Sequence, residues 1–286
     1  MKILHTKEEV KSALLAHRKE NNSIGLVPTM GALHDGHISL VKHARSHADI
    51  TITSIFVNPI QFNNPSDLEH YPRTLEKDLE LLENKGVDYV FLPEIEEMYQ
   101  EETLLKFDFG YLENTLEGEF RPSHFNGVGI VVSKLFHIVQ PDYAYFGQKD
   151  LQQVAIIKRL VKDLSFDVKV EVVPTIREKD GLAMSSRNVR LGEEERKAAL
   201  LLFNSLNLAK DELLKGISWL EVKEKVLSKF DQEPLAKLEY FELVETDSLK
   251  KLNSFNPREL DDTKKYSVCM ASFIGEVRLI DNLPIY

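Results

Sequence analysis

The order of apolar and polar positions divides the first 175 residues into strand-like and helix-like segments that alternate. Short apolar runs without regular alternation are typical of strands that are covered on both faces. The strand candidates are Ile24–Val27, Ile50–Val57, Tyr89–Leu92, Tyr143–Phe146 and Val168–Val173. Segments with helical spacing lie between them, at Gly36–His47, Thr74–Lys85, Val128–Val139 and Leu151–Leu164, and a surface helix is predicted at Lys7–Glu20. Strands joined by helical crossovers predict a parallel sheet.

The pattern changes after Thr175. Two long helical stretches, Glu193–Lys215 and Ser218–Phe230, precede strand-like runs at Lys237–Val244, Tyr266–Phe273 and Val277–Ile280. We therefore predict an α/β protein with a Rossmann-like, doubly wound parallel sheet in residues 1–176. A smaller α+β domain is predicted for residues 177–286. In doubly wound sheets, ligands bind at the carboxyl ends of the strands near the switch point.

Composition restricts the classes of function. The net charge of −10 opposes general binding to nucleic acid, because phosphate backbones attract basic surfaces. The longest apolar run, Ala198–Phe203, is far shorter than the roughly 20 residues of a membrane span, and the N-terminus lacks the apolar region of a signal peptide. The lone cysteine, Cys269, fits a reducing cytosol and is interpreted as a core residue.

The first segment with candidate chemistry runs from Pro28 to His37, directly after the first predicted strand. Gly31 and Gly36 are predicted to turn the backbone towards a ligand. The amides at the start of the next helix form an anion site, into which His34 and His37 could both donate hydrogen bonds. Each histidine alone is more typical of capping or packing, but the combination of strand, glycine loop and paired histidines favours phosphate binding. A metal site is the weaker alternative, because the spacing supplies no third ligand.

The second segment, Phe146–Asp150, follows the fourth predicted strand. Lys149 could reach a phosphate as a point charge, although a lone loop lysine is commonly solvated. Asp150 is placed to cap the next helix, which is compatible with a role in binding.

The third segment, Met184–Asn188, follows the change of pattern. Its hydroxyls, adjacent amides and guanidinium make it rich in hydrogen-bond donors, and Arg187 can grip phosphate bidentately. The alternative is a polar interdomain loop in which Arg187 pairs with a surface carboxylate. Such a loop could also close over a ligand and exclude water.

Two of these segments resemble a known pair of signatures. His34-Asp35-Gly36-His37 resembles the histidine-x-glycine-histidine signature of the class I nucleotidyltransferase superfamily, and Met184-Ser185-Ser186-Arg187 resembles its second, phosphate-gripping signature. More narrowly, the chain is similar to the pantothenate synthetase family from Pro28 to about Asn188. Further matching runs are Phe56–Phe62, Tyr71–Thr74, Arg121–Phe125, Gln140–Asp142, Gly147–Asp150 with Gln153, and Arg177–Asn188. The chain departs from the family in having Arg190 where tyrosine is common, and Lys77 interrupts an acidic cluster of some members.

The resemblance implies an ATP-dependent ligase that makes a pantoyl-adenylate from pantoate, which β-alanine then converts to pantothenate and AMP. It implies catalytic roles for His34, His37, Lys149 and Arg187, with Ser185 and Ser186 as further phosphate donors. ATP would contact Met30, Gly31, Ala32, Leu33, His34, Asp35, Gly36, His37, Gly147, Gln148, Lys149, Asp150, Ile176, Met184, Ser185, Ser186 and Arg187. Pantoate and β-alanine would contact Gln61, Gln153 and Asn58. ATP would bind with Mg²⁺, and no protein metal ligand is assigned. We also expect a cytoplasmic homodimer that binds neither nucleic acid nor membrane.

Several alternatives stay open on the residues alone. The same signatures occur in enzymes that transfer nucleotides to other small acids or phosphate esters, and in aminoacyl-tRNA synthetases. The acidic net charge and the lack of a basic extension disfavour an aminoacyl-tRNA synthetase, because such an enzyme has to bind tRNA. A non-catalytic nucleotide-binding module is disfavoured by the intact His37, Lys149 and Arg187. A purely structural protein would leave three donor-rich loops unexplained.

Overall fold

A parallel sheet of six strands organises the larger part of the chain in this computed structural model, which describes residues 1–256 and 263–285. The strand order is β1-β4-β3-β2-β5-β6, and every neighbouring pair is parallel. The strands are β1 (Lys2–Leu4), β2 (Ile24–Thr29), β3 (Ile50–Ile55), β4 (Tyr89–Phe91), β5 (Tyr143–Gly147) and β6 (Lys169–Val173). Their apolar side chains are largely buried, as expected where crossover helices cover a parallel sheet.

Helices connect these strands, and their sequences explain where they begin. Thr6 and Glu9 form a capping box at the first helix, in which each side chain binds the other residue's backbone amide. Pro65 opens the third helix, at a position where its missing N–H costs nothing. The helices are α1 (Lys7–Lys19), α2 (Asp35–His47), α3 (Pro65–Glu69), α4 (Leu75–Asn84), α5 (Ile95–Met98), α6 (Glu117–Phe120), α7 (His124–Val139) and α8 (Leu151–Asp163).

The strand order places a topological switch point between β2 and β5. From β2 the chain builds towards β3 and β4 on one side, whereas β5 and β6 lie on the other side. The loops that follow β2 and β5 therefore leave the sheet at its carboxyl edge, one on each side of the switch point. These loops contain the first two segments that the sequence singled out.

The C-terminal part of the chain forms a separate α+β layer. Its helices are α9 (Glu193–Leu214) and α10 (Trp219–Asp231), and its antiparallel sheet has the order β7-β8-β9. The strands are β7 (Ala236–Glu245), β8 (Tyr266–Ile274) and β9 (Val277–Pro284). A core of buried side chains, centred on Leu206, Trp219, Phe241 and Met270, packs the helices against one face of the sheet.

The chain divides into two compact units that exchange short segments. The first comprises Met1–Asn114, Gly118–Gln148 and Ile156–Pro174, and the second comprises Thr115–Glu117, Lys149–Ala155 and Thr175–Tyr286. The second unit thus includes Lys149 and the first turn of α8, which precede the C-terminal segment by some twenty residues in the chain.

The predicted fold class is confirmed: a doubly wound parallel sheet is accompanied by a smaller α+β unit. The edge strand β1 was not predicted, because three residues beside the N-terminus show no pattern of their own. Within residues 1–256 and 263–285, no helix is long and apolar enough to span a membrane.

Candidate active site

The loop after β2 turns sharply before it enters α2. Gly31 has φ +78° and Ala32 has φ +48°, so two successive residues adopt the left-handed region. A Cβ on Gly31 would lie 3.1 Å from Asp78 Oδ2, which makes glycine the residue that fits there. The turn predicted at Gly36 is absent, because Gly36 lies in the first turn of α2 without a positive φ.

The carboxylate of Asp78 fixes the shape of this loop. Its Oδ2 accepts the amide of Ala32 and its Oδ1 accepts the amide of Leu33, each at 2.8 Å. The hydroxyl of Thr74 donates to Oδ1 at 3.0 Å, and Asp78 itself is only 1% exposed. The amides of Ala32 and Leu33, in the predicted ATP loop, therefore donate to a side chain of the protein itself. Asp78 shapes this loop, and no sequence motif had indicated it.

His34 and His37 are paired at the start of α2. Gly36 N donates to His34 Nδ1 at 3.1 Å, and His34 N donates to His37 Nδ1 at 3.3 Å. The two rings lie 4.1 Å apart between centroids. A neutral imidazole that accepts at Nδ1 carries its proton at Nε2. Both histidines therefore take part in capping the helix, and their role as Nε2–H donors to phosphate stays a prediction.

The loop after β3 holds Asn58 and Gln61 in a buried amide cluster. Asn58 Nδ2 donates to Gln61 Oε1 at 3.1 Å and to the carbonyl of Gly127 at 3.2 Å, while Tyr99 donates to Asn58 Oδ1 at 2.8 Å. Burial raises the pKa of Tyr99, which keeps its hydroxyl protonated and donating. Asn58 is only 1% exposed, so its side chain orients Gln61.

Gln61 joins this cluster to the loop after β2. Its Nε2 contacts Met30 Sδ at 2.8 Å, and its backbone carbonyl lies 2.8 Å from His124 Nδ1. Gly127 lets α7 lie close against the loop after β3, because a Cβ at this position would be 2.5 Å from the carbonyl oxygen of Ile60. The first unit thus brings together Met30, Asn58 and Gln61 from separate loops at the carboxyl edge of the sheet.

The segment after β5 begins at Gly147, where a Cβ would meet nothing within 4 Å. Gln148, Lys149 and Asp150 form one turn of 3₁₀ helix, and α8 begins directly after Asp150. Gln153 lies half-buried in the first turn of α8. Gln152, beside it, binds the backbone of Glu117 at 2.9 Å through Oε1, which secures the exchanged segment within the second unit.

The third segment follows a short hairpin in the second unit. Arg177 pairs with Ala183 in an antiparallel bridge, and Met184 N donates to the carbonyl of Ile176 at 3.0 Å. Ser185 then caps a turn of 3₁₀ helix over Ser186–Arg190, where its Oγ accepts the amide of Arg187 at 3.3 Å. Because that oxygen serves as an acceptor, the Ser185 hydroxyl proton can point to a ligand.

A buried chain of contacts joins Lys149 to this hairpin. Asn282 Nδ2 donates to the carbonyl of Lys149 at 2.9 Å, and Asn282 N donates to Asp281 Oδ1 at 2.8 Å. Arg177 grips Asp281 bidentately, at 2.6 and 3.0 Å, and donates to the carbonyl of Gly181 at 3.1 Å. Burial raises the pKa of Asp281, while hydrogen bonds from Arg177 oppose that rise. Two predicted phosphate-binding segments are therefore braced within one unit.

Comparison with known proteins decides the family. The model of the pantoate-beta-alanine ligase family matches residues 2–284. The chain belongs to this family. It is 48% identical to the pantothenate synthetase of Azobacteroides pseudotrichonymphae over 285 residues, which is 99% of both chains. The family resemblance stated from the sequence is thereby confirmed.

Solved structures of ligases in this family have the same fold. The pantothenate synthetase of Thermus thermophilus is 40% identical, with a TM-score of 0.91 over 100% of both chains. The pantoate-beta-alanine ligase of Francisella tularensis, solved in complex with beta-gamma ATP and beta-alanine, is 37% identical. Its TM-score is 0.82, over 100% of this chain and 98% of the other.

The start of α2 in this ligase-family chain has the chemistry of an anion site, because helix N-termini direct free amides and a positive dipole end at a ligand. In the described ranges, no three histidine, cysteine or acidic side chains come together in a group that could hold a metal ion. Beyond the predicted residues, buried Asp78 shapes the loop after β2 in the first unit, and buried Asp281 and Asn282 brace Lys149 within the second unit. Asp78 had no distinguishing signal in the sequence, because α4 carries several acidic residues and only the structure shows that this one is buried.

Proposed function

We propose that this chain condenses (R)-pantoate with β-alanine at the expense of ATP, giving pantothenate, AMP and pyrophosphate. The observation that carries the proposal is the pair of histidines at the start of α2 whose Nδ1 atoms accept backbone amides, beside the switch point between β2 and β5. Membership of the pantoate-beta-alanine ligase family supports it. So does the bound beta-gamma ATP and beta-alanine of the Francisella tularensis relative.

In the first step, a carboxylate oxygen of pantoate attacks the α-phosphorus of ATP and pyrophosphate leaves. The carboxylate is already ionised at neutral pH, so this step requires alignment and charge stabilisation, and no base. His34, His37, Lys149 and Arg187 donate to the phosphates, and Ser185 and Ser186 add hydroxyl donors. Mg²⁺ bound together with ATP would neutralise part of the phosphate charge, and no protein ligand is assigned to it.

The nucleotide is lined by the remaining predicted residues. The turn at Gly31 brings backbone close to the ligand, and Gly147 leaves open space at the end of β5. Ala32 and Leu33 contribute through the shape that Asp78 gives their loop. The other predicted lining residues are Met30, Asp35, Gly36, Gln148, Asp150, Ile176 and Met184.

Pantoate binds to Gln61 and Gln153, whose amides offer both donors and an acceptor for a carboxylate and a hydroxyl. Asn58 assists by holding the Gln61 side chain, since its own amide is engaged within the buried cluster. This assignment turns Asn58 from a contact residue into a positioning residue.

In the second step, the amine of β-alanine attacks the acyl carbon, and the bond to the AMP oxygen breaks. The attacking amine must be neutral and loses a proton afterwards. His37 accepts a backbone amide at Nδ1 and carries its proton at Nε2, so this geometry favours a donor to phosphate over a base. A dry site would protect the adenylate from hydrolysis.

We further assign nucleotide and pantoate binding to residues 1–176 and a lid function to residues 177–286. The protein acts as a cytoplasmic homodimer whose ligands are small molecules, without nucleic acid or membrane partners. Its acidic composition supports the exclusion of nucleic acid.

Isotope exchange tests the proposed first step. Labelled pyrophosphate should enter ATP only when pantoate is present, and without β-alanine or tRNA. Exchange that depends on an amino acid or on another small acid would assign the chain to a different substrate. A purified, folded protein that supports no exchange with any acid would support the non-catalytic binding module.

A further inference from the structure

The orientation of the Asn58 side-chain amide is fixed by its two fixed neighbours. Its Nδ2 lies 3.2 Å from the backbone carbonyl of Gly127, which can only accept a hydrogen bond. Its Oδ1 lies 2.8 Å from the hydroxyl of Tyr99. Exchanging the oxygen and the nitrogen of this amide would direct two acceptors at each other at Gly127, so the Asn58 oxygen faces Tyr99.

This orientation determines which end of the Gln61 amide is left for a ligand. The second N–H of Asn58 Nδ2 donates to Gln61 Oε1 at 3.1 Å. Among the residues that the structure describes, Gln61 Nε2 contacts only Met30 Sδ, which is a weak acceptor. Gln61 is 8% exposed, and a buried N–H group is costly to leave without an acceptor. The free end of Gln61 is therefore a donor that suits an oxygen of a ligand.

Tyr99, which directly follows α5, supplies the one hydrogen-bond donor to Asn58 Oδ1 within residues 1–256 and 263–285. Burial raises the pKa of Tyr99, so its hydroxyl stays protonated at neutral pH. The ring is held independently of the hydroxyl. Phe56 packs against it with ring centroids 6.1 Å apart, and Lys134 Nζ lies 5.2 Å from its centroid. A substitution that removes only the hydroxyl therefore leaves the ring contacts in place.

We infer that Tyr99 is a positioning residue for pantoate: its hydroxyl fixes the Asn58 amide, which holds Gln61 with Nε2 directed at an oxygen of the substrate. This inference rests on the proposed function and adds the direction of one hydrogen bond to it. Without the Tyr99 hydroxyl, either orientation of the Asn58 amide leaves one acceptor unpaired, at its own oxygen or at Gly127, so no single orientation is favoured strongly. Gln61 is then no longer held as a donor, and pantoate binds more weakly.

Steady-state kinetics of Tyr99→Phe test this assignment. The KM for pantoate should rise about tenfold, and the KM for ATP should stay within about twofold, because the hydroxyl acts only on the Gln61 side of the site. Tyr89→Phe is the matched control: it removes a half-buried hydroxyl that lies 2.9 Å from His17 Nε2 in the same unit, and both KM values should stay unchanged. Thermal unfolding of both variants shows whether they are folded.

Asn58→Ala gives an independent measurement of the same contacts. It should also raise the KM for pantoate by about tenfold, and adding Tyr99→Phe to it should change that KM by less than about twofold, because the hydroxyl acts through the missing amide. Effects that multiply in the double variant, an unchanged pantoate KM in Tyr99→Phe, or equal rises in both KM values would overturn the role of Tyr99 alone. An unaltered chain without pantoate-dependent pyrophosphate exchange would overturn the proposed function and this inference with it.

Discussion

The side-chain amide of Asn282 donates a hydrogen bond to the backbone carbonyl of Lys149 over 2.9 Å. Asn282 lies on β9, is only 2% exposed, and is held through Asp281 and Arg177 to the hairpin that leads into Met184. Residues 133 positions apart are thereby joined. The contact makes Asn282 a positioning residue for the lysine that we assign to the phosphates of ATP.

Asn282→Ala is expected to lower kcat for pantothenate formation about tenfold, since small misplacements of a reactive group reduce rates strongly. The KM for pantoate should change little, because Gln61 is untouched. Ser272→Ala is the matched control: its buried hydroxyl bonds the carbonyl of Phe273 at 3.0 Å on the same sheet. Steady-state kinetics and thermal unfolding should both be measured. If Asn282→Ala lost as much stability as Ser272→Ala and kept the full kcat, Asn282 would have only a structural role.

Lys149→Ala and His37→Ala are each expected to cut turnover by about 10²–10³, the range for losing one preorganised donor. Lys162→Ala on α8 and His43→Ala on α2 remove the same side chains from exposed positions and serve as controls. Turnover should be measured at saturating ATP and pantoate. Near-normal turnover of either site variant would remove that residue from the mechanism.

Asp78→Asn should destabilise the loop between β2 and α2. One carboxylate oxygen would become an NH₂ group that faces the amide of Ala32 or Leu33, so two donors would meet. A buried group left unsatisfied in this way costs about 1–3 kcal/mol of unfolding free energy. We also expect the KM for ATP to rise about tenfold, since the loop amides lie beside the proposed phosphate site.

Glu76→Gln, an exposed change on the same helix, controls for the loss of one negative charge. Urea unfolding and ATP titration of the two variants can be compared directly. If Asp78→Asn were as stable and as active as Glu76→Gln, the carboxylate would not be shaping the loop.

The thiol of Cys269 should be inert in the folded protein. It is buried on β8, and burial raises its pKa, with nearby acidic groups adding to the shift. Because the thiolate is the reactive form, a thiol reagent at pH 8 should label no cysteine under native conditions and one per chain in denaturant. Activity should survive the native treatment. Fast native labelling with loss of activity would show that the thiol is accessible and important.

The fold was predictable because the strands and helices carry local patterns. The buried runs at Ile24–Thr29 and Ile50–Ile55 are apolar enough to identify a covered sheet, and helix α4 shows clear amphipathic spacing. Strand β1 was not predicted, because its three residues become a strand only by pairing with β4, which is 87 residues away in the chain. Pairing of that kind leaves no local signal.

The candidate site was predictable where motif and helix start coincide, as at His34 and His37. The supporting residues were not, since their partners are distant in sequence. Asp78 reaches Ala32 across 46 positions, and Asn282 is an ordinary polar residue until β9 brings it to Lys149. Local sequence patterns also could not separate contact from positioning at Asn58, because the burial of its amide depends on Tyr99 and Gly127.

Oxygen tracing tests the acyl-adenylate most directly. If pantoate with ¹⁸O in its carboxylate reacts with ATP and β-alanine, one carboxylate oxygen attacks the α-phosphorus and remains on AMP when the amide forms. Mass spectrometry should therefore find one ¹⁸O in each AMP and none in pyrophosphate. Unlabelled AMP, or label in inorganic phosphate with ADP as the other product, would contradict the mechanism.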